Sequence, residues 1–154
     1  MSQKHRAVIA GIGELKPTMR AAGRTSIGLM AEASDRAIAD AGLNKKDIDA
    51  LLVDPPPDEP GRTFPSAFAE YLNIAPVYTS TVGLGGASGA AMVMHADAAI
   101  KAKYCHAVLL VTGGVIGGGA LSGQRGRGLD RRREEFESPY GPLGVTSAYA
   151  MIAQ

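Results

Sequence analysis

Gly85-Gly86-Ala87-Ser88-Gly89-Ala90 is the segment of this chain whose residue types and spacing come nearest to chemistry. It stands where a β-branched, aromatic run passes into an alanine-rich one, which reads as a strand-to-helix turn. A nucleophile projected from such a turn meets the positive end of the helix dipole. Ser88 sits at the centre of a near-match to the G-x-S-x-G elbow of serine hydrolases, with Ala90 in place of the last glycine. A serine nucleophile needs a base, and the candidates are poor. His95 lies further along the same expected helix and His106 precedes the next strand, with no evident route from either to Ser88. A capping or packing role for Ser88 is the better reading.

The other candidates are weaker. Gly11-Ile12-Gly13-Glu14-Leu15-Lys16 follows an apolar run, as the dinucleotide fingerprint G-x-G-x-x-G does. Lys16 holds the third glycine's place, however, and Pro17 prevents the immediate helix that would aim N–H groups at a phosphate. The tract from Gly114 to Gly123 has no Gly-Lys-Ser/Thr and is no Walker loop. Cys105 precedes an apolar strand instead of heading a helix, so it reads as a structural thiol. His95 and Asp97 fall on different faces of a helix. Arg125, Arg127, Arg131, Arg132 and Arg133 share a charged run with Asp130, Glu134, Glu135 and Glu137, a pattern that more often marks a solvated loop than a phosphate site. With one cysteine and three histidines, no metal centre is expected.

The elements that must hold these residues follow from composition and period. The chain's 154 residues suit one domain, and 45% hydrophobic residues supply a core. Lys+Arg 16 against Asp+Glu 15 leaves a net charge of +1, which argues against charge-driven disorder and against a dedicated nucleic-acid binder. The single cysteine fits a reducing, cytoplasmic setting. Glu14 and Lys16 break the first apolar run, so no export signal is expected, and the uncharged stretch from Ala107 to Gln124 is too glycine-rich to cross a bilayer. No membrane association is expected. Glycine is the outlier: twelve of the 20 lie between Gly83 and Gly128, divided between the turn described above and a loose tract beginning at Gly113.

Residues 7–13 form an apolar run without helical period, expected as a first buried strand. Thr25 or Ser26 then caps a helix whose apolar positions Ile27, Met30, Ala31, Ile38 and Ala41 recur at helical spacing up to Gly42. A second strand over residues 50–53 stops at Pro55-Pro56-Pro57, and a short helix follows over residues 64–72. The third strand runs from Val77 to Val82, and the helix from Gly86 to Lys103, apolar or small on nearly all sides, is expected to be enclosed by protein. A fourth strand runs from Ala107 to Thr112, the tract from Gly114 to Ser138 is expected to be mobile, and a helical pattern resumes from Tyr140 to Gln154. Alternating strands and helices give an α/β fold with a parallel-dominated sheet. Residues 1–113 are expected to form that domain, and residues 114–154 to begin a loop domain.

The order of elements carries a resemblance. Taken with Val8-Ile9-Ala10-Gly11-Ile12-Gly13-Glu14, Glu70-Tyr71-Leu72, the Gly85-Gly86-Ala87-Ser88-Gly89 turn, Ala107-Val108-Leu109-Leu110-Val111 and Tyr140-Gly141-Pro142, it resembles the N-terminal half of thiolases. The closest group is the thiolase-like lipid-transfer proteins related to the sterol-carrier-protein-linked thiolases. Thiolases move acyl groups on coenzyme A through a cysteine at this turn, in Cys-Ala-Ser-Gly. Gly86 holds that cysteine's place here and has no side chain to accept an acyl group, while Cys105 matches no catalytic position of the family. The family continues into a homologous C-terminal half that supplies a histidine, a second cysteine and most coenzyme A contacts. Relatives without the cysteine include retro-aldolases of sterol side-chain breakdown, which use tyrosines of that second half and associate with a small acyl-CoA-binding partner.

The resemblance therefore implies a protein of acyl-CoA or sterol side-chain metabolism that lacks cysteine acyl transfer. It would cleave or form a C–C bond, as an acyltransferase or a retro-aldolase-type lyase, only when a C-terminal half or a partner completes it. A coenzyme A thioester would be the substrate, with no bound cofactor. Self-association, as in a homodimer, would run through the strand from Val77 to Val82. The alternative is a catalytically silent binding or scaffold subunit, or a truncated remnant.

Overall fold

The computed structural model of the chain describes residues 7–18, 23–56, 58, 63–115 and 145–153. Helix α1 (Ser26–Asp40) begins at Thr25, whose Oγ1 accepts a hydrogen bond from the N–H of Gly28, and it buries Met30, Ala31, Ser34 and Ile38 along one face. Gly42, at φ +69, turns the chain out of it. Strand β1 (Ala50–Val53) is buried at every residue. Helix α2 (Phe64–Leu72) carries a proline in its first turn and stops at Asn73 in the left-handed conformation. Strand β2 (Tyr78–Thr81), helix α3 (Ser88–Lys101) and strand β3 (Val108–Val111) complete the series.

The three strands form a parallel sheet in the order β2-β1-β3. The steps from β1 to β2 and from β2 to β3 run in opposite directions across it. Right-handed crossovers therefore place α2 and α3 on opposite faces. The pleat sorts the side chains to match. Leu51 and Val53, with Leu109 and Val111, meet Met30 and Ile38 of α1 and Phe68 and Leu72 of α2, whereas Ala50 and Leu52 meet Ala99, Met92 and Ala96 of α3. The parallel α/β architecture expected of a thiolase-like half is present.

Two expectations need correction. Residues 7–13 are extended but belong to no ladder; they lie along α1 instead. A Cβ added at Gly11 would come 2.4 Å from the Ala37 carbonyl oxygen, and one at Gly13 would come 1.9 Å from that of Ala33. The Ile12 N–H donates to Asp40 Oδ2 at 2.8 Å, and Arg36 Nη1 donates to the Glu14 carbonyl at 2.9 Å. The absent side chains let backbone approach backbone, a use of glycine that apolar patterning does not distinguish from a strand. The second correction concerns α3. It buries Ser88, Met92, Ala96 and Ala99, but Met94 is 74% exposed, so the helix is covered on one face only among the described residues. One sheet can cover only one side of a helix.

At the N-terminal end of the sheet, Asp49 ties β1 to β3. Its carboxylate accepts from the N–H groups of His106 and Ala107 and faces His106 Nδ1 at 3.0 Å. Burial alone would raise its pKa. The backbone donors Ala107 and His106, and then the His106 ring, outweigh burial, so the carboxyl titrates below its ordinary value. A depressed native pKa contributes stability that is present above the unfolded-state value and is lost as pH falls through the native one. Urea unfolding of Asp49→Asn is therefore expected to show a deficit of about 2 kcal/mol at neutral pH. That deficit should shrink below the ordinary carboxylate range, and one that stayed constant down to strong acid would contradict this assignment.

The chain divides into compact units at residues 1–115 and 116–154. In the second, α4 (Val145–Ile152) is a short helix with Tyr149 and Met151 exposed. From residue 116 on, the tract expected to be mobile lies outside the described residues, as do the arginines from Arg125 to Arg133. Among the described residues no helix is long and apolar enough to cross a membrane.

Candidate functional site

β1 and β2 are neighbours whose chains leave toward opposite faces, one into α2 and the other into α3. In open α/β sheets ligands bind outside the carboxyl ends of the strands. At that end lies the turn after β2. The Val82 N–H donates to the Val53 carbonyl at 2.9 Å, and residues Gly85–Ala87 then form one turn of 3-10 helix, with Gly85 at φ +56. Ser88 is buried. Its Oγ accepts from the Leu84 N–H and donates to the Gly85 carbonyl, both at 2.8 Å, and so holds the turn closed against the start of α3.

Gly86 is exposed, and a Cβ built on it meets nothing within 4 Å. Its φ lies outside the left-handed region, so the backbone there accepts any side chain. Position 86, where the thiolase resemblance would place a cysteine, is thus open to a side chain and not crowded. Beside it, a Cβ on Gly83 would stand 3.5 Å from Asp54 Oδ1. Asp54 is the first residue after β1; it is half-buried, and its N–H donates to the Val111 carbonyl at 3.0 Å.

The loop after β1 is held by a buried serine. Ser26 Oγ donates to the Asp58 carboxylate at 2.7 Å and accepts from the Val115 N–H at 2.7 Å. It thereby joins the start of α1, the loop after β1 and the segment after β3. Pro56 packs into the same point. A Cβ on Gly114, which stands at φ +152, would come 2.7 Å from the Pro56 Cβ.

Neither histidine weighed as a base bonds to Ser88. His95 Nε2 shares a hydrogen bond of 2.6 Å with the Tyr78 hydroxyl at the start of β2, and the Tyr104 ring lies tilted beside Tyr78 with centroids 6.0 Å apart. Asp97 pairs with Lys101 on the other side of the helix. His106 is bound to Asp49. Cys105 is buried among Ala50 and Ala99, and desolvation, reinforced by the Asp49 charge, pushes its thiol pKa up, which disfavours the reactive thiolate. The space around Gly11 and Gly13 is taken by the α1 backbone on one side. A cavity of about 220 Å³ separates them from Leu109, Val111 and Thr112 on the other. Among the described residues no group of three or more His, Cys, Asp or Glu is placed to hold a metal ion.

Patterning missed Asp54, the Ser26–Asp58 contact and the Tyr78–His95 pair. A signal for Asp54 was present: it is the polar residue that ends a fully apolar strand, on the side of the sheet where parallel α/β folds bind ligands. The other two pairs leave no trace in local sequence.

No family model matches the sequence, and no curated protein matches it. Among solved structures, a chain of the "Ltp2-ChsH2(DUF35) aldolase" superposes with a TM-score of 0.60 at 30% sequence identity. The match covers 68% of this chain and 26% of that one, so this chain spans about a quarter of the length of the aldolase chain that it resembles.

Proposed function

We propose that this chain is the N-terminal part of an aldolase-type carbon–carbon lyase of lipid metabolism, completed by a companion segment or subunit and acting on a β-hydroxyacyl coenzyme A thioester. The observation that carries the reading is the 30% identity over 68% of the chain to a solved aldolase chain. The open turn after β2 is compatible with it. A retro-aldol cleavage needs an acceptor for a hydroxyl proton and donors for a thioester enolate, but no covalent nucleophile. The vacancy at Gly86 removes the nucleophile and leaves room for substrate. Sterol side-chain thioesters are the substrate class that the thiolase resemblance favours.

A small coenzyme A-binding protein of the DUF35 kind is the companion suggested by the make-up of the solved aldolase, in which Ltp2 stands with ChsH2(DUF35). Self-association is the second part of the proposal. Among the described residues β2 pairs with β1 only, and Val77 beside its other edge is 80% exposed, which would leave a row of backbone groups open to a second copy. Co-expression of the chain with genomic neighbours that encode a DUF35 protein and a thiolase-like C-terminal half tests both parts. The expected result is a complex that co-purifies, contains two copies of this chain by light scattering, and splits a β-hydroxyacyl-CoA into a ketone and a shortened thioester detectable by mass. A stable complex that cleaves nothing would favour the silent binding subunit, a reading suited to a chain that spans only a quarter of its aldolase neighbour. Absence of any complex would sink both.

A further inference from the structure

Among the described residues β3 is an edge of the sheet, paired with β1 and with no strand on its other side. In that ladder the Ala107 and Val111 carbonyls accept from the N–H groups of Ala50 and Asp54, so the alternate residues Leu110 and Thr112 turn their N–H and C=O groups outward. Both residues line a groove of about 220 Å³, whose opposite wall is Gly11–Gly13 and whose floor is Ala33, Ser34 and Ala37 of α1. That opposite wall has the make-up of a strand. Residues 7–13 are extended and carry the β-branched Val8, Ile9 and Ile12, exposed by 81%, 72% and 71%, yet they belong to no ladder. Strands that pair directly lie about 4.8 Å apart and leave no groove between them. Here two extended segments face each other across open space, over small residues and with no charged side chain on the lining.

We propose that this groove accepts one β-strand, paired with β3 on one side and with residues 8–13 on the other, and that the companion segment supplies it. The walls select the occupant. Main-chain donors and acceptors that recur at every second residue are matched by another extended backbone, whereas a helix has its own main-chain groups already engaged. The uncharged lining and the small residues beneath call for apolar or small side chains on the incoming strand. Two observations point to the companion as its source. The chain leaving β3 is tied by the Val115 N–H to Ser26, at the start of α1, so β3 does not turn straight back into the groove as a hairpin. This chain also spans only 26% of the aldolase chain that it resembles, which leaves the larger part to be supplied. The inference rests on the companion of the proposed function and adds how it docks: by strand addition, which closes an edge that would otherwise invite aggregation.

Hydrogen exchange tests this in the free chain and in its complex with the co-expressed thiolase-like C-terminal half. In the complex the amides of Leu110 and Thr112 are expected to exchange at least ~100-fold more slowly than in the free chain, because each gains a strand partner. A variant pair supplies the second measurement. Thr112→Pro removes one outward donor and sets a ring in the groove; Thr112 is exposed and its N–H takes no part in the β1 ladder, so the chain's own thermal midpoint should move by no more than a few degrees. Its affinity for the companion should fall at least ~10-fold, whereas Thr112→Val, which keeps the N–H, should bind like the parent. A complex in which both amides exchange as in the free chain overturns the proposal even if that complex cleaves a thioester, and so does the absence of a complex. Protection already present in the free chain would put the chain's own residues in the groove, and protection that grows with its concentration would put a second copy there; either result overturns the companion as the source. Slowed exchange in a complex that cleaves nothing leaves the strand acceptor standing and removes the aldolase reading.

Discussion

Gly13→Ala is expected to lower the stability of the chain by about 3 kcal/mol, the upper part of the range for overpacking. The added methyl would lie 1.9 Å from the Ala33 carbonyl oxygen and 2.5 Å from the Ala37 nitrogen, and both are backbone atoms of α1 that cannot rotate aside. Relief requires the extended segment to lift off the helix, which breaks the Ile12–Asp40 and Arg36–Glu14 hydrogen bonds. Gly86→Ala is the contrast. Its methyl meets open space at an ordinary φ, so the change should be near zero or slightly stabilising, because alanine reduces the freedom of the unfolded chain. Parallel urea titrations of the two variants read the difference. Equal effects would mean that residues 11–13 do not rest on α1.

Ser26→Ala is expected to cost about 2 kcal/mol, although it removes a single oxygen. That oxygen is fully buried, donates to a carboxylate and accepts from a backbone N–H, so alanine leaves the Val115 N–H unpaired and releases Asp58. The loss should be local in the first instance. Hydrogen exchange at the Val115 amide should speed up together with exchange in the loop after β1, while the amides of β1 keep their protection. Thr25→Ala, one residue earlier, removes only the α1 cap and should cost about 1 kcal/mol without accelerating Val115. If Val115 exchange were the same in Ser26→Ala and in the parent, the serine would not be the joint described here.

What the sequence determined by itself is what short-range energetics determine. The cap at Thr25, the helical spacing of Met30, Ala31 and Ile38, the stop at Gly42, the fully apolar β1 and the turn into α3 each depend on residues within a few positions of one another. All were legible, and from them the alternation of strands and helices that makes a parallel sheet. The same local terms read residues 7–13 as a strand. Whether an apolar extended segment joins a sheet or lies on a helix depends on what it meets, and Gly11 and Gly13 met α1.

The site lies almost wholly beyond that local range. Ser26 is 32 residues from Asp58 and 89 from Val115, and Asp49 is 57 from His106. Such pairs arise only after strand order, crossover handedness and register have been set by packing. Ser88 and His95 show the same dependence at shorter distance: the sequence favoured a capping or packing serine over a nucleophile but named no partners, and the fold engages the hydroxyl in its own turn and places the imidazole on Tyr78. Asp54 shows the same limit: its place beside Gly83 at the carboxyl ends of β1 and β2 follows from the pairing of those two strands, which is decided by tertiary structure alone.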